Sequence, residues 1–199
     1  MKKFVVLLAL VSFIVLSSSA DATVFKYARS TGAKFTAFYD SSVASYGYTD
    51  HLDFARNAWA GISPNVSIAK STTYKSPTVA SGYMDKYYVG NSSTKGLYGM
   101  TLLYNDVFGV GIPAVPNAAP WKFSTISIYD NNLKDDGLKN PTNIRHTTTH
   151  ELGHSLGLAH TEDEAKKSTS VMTKGDDPKL NRDINTPSAY DKNQLRTKY

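Results

Sequence analysis

Apolar and polar positions alternate with a period of two over Lys34–Tyr39 and Phe123–Tyr129, the pattern of strands half-buried in a sheet. Val66 to Ala69, Ser81 to Val89 and Leu97 to Tyr104 are further strand candidates, the last two separated by the turn-rich stretch GNSSTKG. A helical period begins at Thr49 or Asp50 and runs to about Ala60. It places Leu52, Ala55, Trp59 and Ile62 on one face, and Gly61 follows as a stop. A second helix opens at Pro141, near Thr142, and ends at Gly157. A third has Thr186 as N-cap and Pro187 in its first position, and runs to Tyr199. Gly109 to Pro120 reads as a Gly/Pro-rich loop, 130–141 as a polar loop, and 161–187 as mostly loop. The pattern predicts a mixed α/β (α+β) domain with one sheet, two main helices and a C-terminal helix.

With 199 residues, 41% of them hydrophobic and 20% charged, the chain suits one domain with a sizeable core. It has no cysteine, which excludes a disulfide scaffold, a thiolate metal site and a cysteine nucleophile. The formal charge of +5 comes from basic residues scattered singly, so it describes a surface and points to no nucleic-acid partner. The first 22 residues form a separate unit. Lys2 and Lys3 precede an apolar run from Phe4 to Leu16, too short for a stop-transfer helix, and Ala20-Asp21-Ala22 is a small-x-small cleavage site, with Ser18-Ser19-Ala20 as a competing one. The expectation is a secretory signal peptide over 1–22 and a single domain over 23–199, extracellular, monomeric and off the membrane after cleavage. An uncleaved N-terminal anchor is the alternative.

The chemistry concentrates in HELGHSLGLAH, His150 to His160. His150 and His154, four apart on a helix, project from one face about a turn apart. Two imidazoles so placed can reach one zinc ion, which takes nitrogen ligands at ~2.0–2.1 Å in a tetrahedron. Gly157 can reverse the chain so that His160 returns as a third ligand, leaving one position open for water. Glu151 lies beside the ion as candidate general base. His146 shares the helical face, but it sits ~12 Å along the axis from His154, too far for both to reach one ion. It reads as a surface residue or as support behind the ligands, and His51 as an exposed residue. Asp130, Asn131, Asn132, Asp135 and Asp136 make an oxygen-rich loop, either a calcium site or a solvated turn.

The string HExxHxxGxxH resembles the metzincin clan of zinc endopeptidases, and the chain is most similar to short bacterial matrixins. The resemblance implies a zincin fold with a twisted mixed sheet and an antiparallel edge strand. Met172, in Ser170-Val171-Met172, would be the methionine beneath the metal, and Asp191 the acidic residue tying the last helix to it. Tyr190 departs from the acidic pair expected there, and Thr161 from the usual serine. Too few histidines precede His150 for the family's second, structural zinc, and Lys174 stands where some clan members have a tyrosine ligand. The implied activity is hydrolysis of protein or peptide bonds, with catalytic zinc on His150, His154 and His160 and Glu151 as general base. Substrate would pair with an edge strand, for which Leu97 to Tyr104 is nominated, and a pocket beside His160 walled by 161–187 would select side chains. A zinc-bearing binding protein without turnover and a cell-wall amidase are the competing readings.

Overall fold

Residues 23–75 and 82–199 are described by a computed structural model. The expected leader at 1–22 and Ser81, the expected start of a strand, lie outside them. Among the described residues the elements are β1 (Lys34–Tyr39), α1 (Ser41–Ser45), α2 (Thr49–Trp59), β2 (Ser67–Ser71), β3 (Met84–Gly90), β4 (Gly99–Val107), β5 (Val110–Pro113), β6 (Phe123–Tyr129), α3 (Asp130–Asp135), α4 (Pro141–Ser155) and α5 (Ala189–Arg196).

The strands form one open sheet in the order β2-β1-β3-β6-β4-β5. β2, β1, β3 and β6 are parallel; β4 is antiparallel to β6, and β5 to β4. Alternation sends Phe35, Ala37, Tyr39, Tyr87, Val89, Ile126 and Ile128 to one face. They form a single core with Leu52, Ala55 and Trp59 of α2 and with Ile144 and Leu152 of α4. Each large apolar side chain buried there contributes roughly 1.5–3 kcal/mol of transfer free energy. This packing fixes α4, the helix carrying His150, against the sheet.

Several elements differ from the sequence reading. The Gly/Pro-rich loop contains β5, because Phe108 (φ 54°) and Gly109 (φ 84°) form a two-residue reversal that pairs Val107 with Val110. The polar loop contains α3, whose buried polar side chains bond to the chain on either side. The last helix is capped by Ser188 and not Thr186: Ser188 and Asp191 form a reciprocal capping box. At the other end of the chain, Val24 forms an antiparallel bridge with Leu158. Phe25 N–H donates to Gly157 O (2.9 Å), and Ala159 N–H to Thr23 O (2.8 Å). Arg29, in the same segment, is ion-paired with Asp85 of β3 in full burial (2.6 Å). No described helix is long and apolar enough to cross a membrane.

Candidate functional site

α4 begins at Pro141 with Asn140 as N-cap, and ends at Ser155. Gly157 then takes φ 99°, and a Cβ there would lie 3.1 Å from the Trp121 ring, so the reversal needs glycine for both reasons. The reversed chain returns His160 to the helix. Ring centroids of His150, His154 and His160 stand 4.7, 4.9 and 5.2 Å apart, and one nitrogen from each lies within 4.8 Å of the others.

Hydrogen bonding sets the tautomers. His150 Nδ1 meets Val171 O and His154 Nδ1 meets Leu158 O, both at 2.8 Å. A carbonyl only accepts, so each Nδ1 carries the hydrogen and each Nε2 presents a lone pair. The two Nε2 atoms are 3.0 Å apart. Two acceptors at that distance repel, and a cation between them removes the repulsion. Two neutral imidazoles with carbonyl-fixed Nδ1–H groups, joined by the ring of His160, fit a zinc ion's preference for nitrogen ligands. Burial holds these rings in the neutral, ligating form, pushing His154 down to about 4 and His150 well below the ordinary range.

Of the two other histidines, neither joins the trio. His146 is no surface residue: it is buried, its Nδ1 donating to Ile184 O (2.6 Å), and its ring stacks behind His150. His51 is half-buried against Tyr48 and not exposed.

Glu151 is buried beside the trio. Desolvation raises its carboxyl to about 7, against the lowering effect of a hydrogen bond from Thr101 Oγ1 to Oε2 (2.8 Å). β4 passes so close that a Cβ on Gly99 would stand 2.6 Å from Glu151 Cγ and 2.7 Å from Oε1. Gly99 and Thr101 thus shape the carboxylate's seat. Neither was legible as a site residue; the only signal was a glycine at a strand, which marks close approach of another group.

Met172 is buried, and the helix above it needs Gly153: a Cβ there would fall 2.3 Å from Met172 Sδ and 3.0 Å from the Trp59 ring. Trp59 is fixed by donating Nε1–H to Thr149 O (2.8 Å). An open helix would gain about 1 kcal/mol from Gly→Ala. Here Gly153→Ala is expected to reverse that sign through overpacking of about 1–3 kcal/mol, measured as a lowered urea midpoint. The methionine segment is held from below. Ser170 Oγ donates to Asp191, as does Val171 N–H (3.2 Å), while Thr161 N–H donates to Met172 O (3.0 Å). Asp191 does join the last helix to the methionine segment, and Tyr190 instead shares a hydrogen bond with Thr23 (2.6 Å).

A cavity of about 320 Å³ opens on the trio, walled by 96–101, by His146 and Thr147 of α4, and by Thr173, Gly175 and Arg182. The first wall is fastened by the loop rich in oxygen ligands. Asn132 Nδ2 donates to Thr94 O and Leu97 O, Asn131 exchanges hydrogen bonds with Ser92, and Tyr98 donates to Asp136. Asp130 accepts from Tyr48 and pairs with Lys139. These side chains thus hold the cavity wall. β4 is not the outermost strand as nominated, because β5 covers Tyr104–Val107 and Ala114 N–H donates to Leu103 O. By alternation, Gly99 and Thr101 turn their backbone groups to the same outer edge, where no strand among the described residues covers them.

No curated protein matches the sequence. The family model for matrixins matches residues 50–189, which takes in α2, most of the sheet, the histidine trio and the methionine segment. Matched over more than half its length, and with its three histidines gathered as a metal site requires, the chain belongs to the matrixin family of zinc-dependent peptidases.

Proposed function

We propose that this chain is a secreted endopeptidase whose zinc is held by His150, His154 and His160 and whose general base is Glu151. The observation that carries the reading is the pair of Nε2 lone pairs 3.0 Å apart, each fixed by a carbonyl at Nδ1, with a buried carboxylate on the neighbouring residue. Zinc bound there supplies Lewis acidity and a water acidified to a pKa of ~7.

The protein's own groups do the rest. Thr101 and Gly99 hold the Glu151 carboxylate in one orientation. Its burial raises its proton affinity, so it can take a proton from the attacking water and release it to the leaving amine. The uncovered edge of β4 at Gly99 and Thr101 offers backbone donors and acceptors to an extended substrate, which gives affinity without sequence preference. β5 limits that pairing at Leu103, so the ladder available to a substrate is short. Residues 1–22 act as the export leader, leaving Thr23 as the new N-terminus.

The test is casein hydrolysis by purified protein with and without a chelator, with metal content measured on the same samples. Chelation is expected to abolish cleavage and zinc to restore it. Chelator-insensitive cleavage overturns the zinc mechanism, and turnover of cell-wall preparations but not casein overturns the substrate class. Binding without turnover would favour the recognition-protein reading. Intact mass of protein recovered from the medium of a secreting host tests the leader: a start at Thr23 supports it, and retention of Met1 overturns it.

A further inference from the structure

The cavity beside the histidine trio carries an unpaired cation. Arg182 is half-buried in its wall, with the guanidinium carbon 4.7 Å from the centre of the Tyr98 ring on the opposite wall. That stacking contact is its only partner among the described residues; no carboxylate lies within ion-pair distance and it donates no hydrogen bond. This sets it apart from Arg29 and Arg56, the guanidinium groups that pair with carboxylates elsewhere in the molecule. The carboxylates of this region already have partners. Asp136, which acts on Arg182 from a distance, accepts from Tyr98 (2.9 Å), and Glu151 accepts from Thr101. Arg182 and His146 line the same cavity, and the guanidinium's charge adds to burial in holding that imidazole neutral.

A planar fork of N–H donors, held by an aromatic face and without a partner, is a preformed receptor for a carboxylate. The stacking on Tyr98 reduces the side-chain freedom that would be lost on binding. Leu97 and Met100 on the same wall provide apolar surface for a methylene stem. We propose that Arg182 selects substrates with an acidic side chain next to the cleaved bond, the carboxylate entering the cavity and meeting the guanidinium. This rests on the reading of the cleft as a peptidase site.

The experiment uses peptide pairs identical except for Glu or Gln, placed in turn at each position flanking the scissile bond. Cleavage is measured as kcat/KM, and affinity by calorimetry on zinc-loaded Glu151→Gln protein, which binds without turnover. At one position Glu is expected to be favoured over Gln by ~10–100-fold, the range for a charge-assisted hydrogen bond in a partly buried site. Arg182→Gln should bring that ratio to about one, Arg182→Lys should keep part of it, and Arg182→Glu should turn the preference to Lys. Equal handling of Glu and Gln at every position, or a Glu preference that survives Arg182→Gln, overturns the proposal. Absence of all cleavage defeats the peptidase reading instead, and the calorimetric Glu/Gln ratio still decides the role of Arg182.

Discussion

Glu151→Gln protein is expected to retain its metal and lose turnover by ~10²–10⁴-fold, the usual contribution of a positioned general base. The amide has the shape of the carboxylate, so it still fits against Gly99 and still accepts from Thr101 Oγ1 through its carbonyl oxygen. It cannot hold a proton taken from water. Metal stoichiometry, far-UV circular dichroism and peptide hydrolysis on one sample separate the two effects. Unchanged metal with abolished hydrolysis is the expected result. Full activity in Glu151→Gln would remove this residue from the mechanism, and loss of metal would recast it as part of the metal's support. Because Thr101 lies 50 residues away from Glu151 in sequence, the same assay on Thr101→Val shows how far the carboxylate's orientation depends on β4.

The second large effect concerns stability. Asp85→Ala is expected to cost about 3–5 kcal/mol, the usual penalty for stranding one member of a buried ion pair. Asp85 accepts from Arg29 (2.6 Å), from Ser124 N–H (2.9 Å) and from Ser124 Oγ (2.6 Å), and neither partner of the ion pair is exposed. Without it, Arg29 keeps only its Nε bond to Thr31 and its stacking on Phe35, and its Nη2 already has no partner. Desolvation is the largest influence on the Asp85 carboxyl and pushes it up, while Arg29 and Ser124 pull it down. The pair therefore fixes one arrangement more than it adds net stability. Replacing both partners with apolar residues, Asp85→Leu with Arg29→Met, is accordingly expected to cost much less than the single change. Urea denaturation of the two variants checks this; a single-variant loss under ~1 kcal/mol would show that the charge is not stranded. Zinc affinity should fall as well, because Arg29 anchors the segment whose Thr23–Phe25 backbone pairs with the return toward His160.

Periodicity and spacing made the site's central parts readable. The bounds of β1 and β6, the buried face of α2 and the i, i+4 placement of His150 and His154 depend on residues close in the chain, where side-chain direction follows from local geometry. The glycine at 157 was readable for the same reason. The parts that stayed hidden are contacts between distant segments. Thr101 and Gly99 meet Glu151 only because β4 joins the sheet antiparallel beside β6, a pairing that no local pattern specifies. Arg182 lay in a stretch without period and gained its place only when 161–187 wrapped over α4. α3 escaped because a helix that buries Asp130 and Asn132 has no apolar stripe to display. β5 escaped because its four residues are all exposed, so burial left no alternation in them, and because Phe108 is an unfavourable residue for positive φ.

The carbonyl that orients His150 belongs to Val171, and Val171 is in turn gripped by Asp191 in the first turn of α5. The aim of His150 therefore depends on the last helix being closed: the capping box that fixes Asp191 also fixes the carbonyl that sets this imidazole's tautomer, so fraying of α5 would loosen the metal site about 40 residues away in sequence.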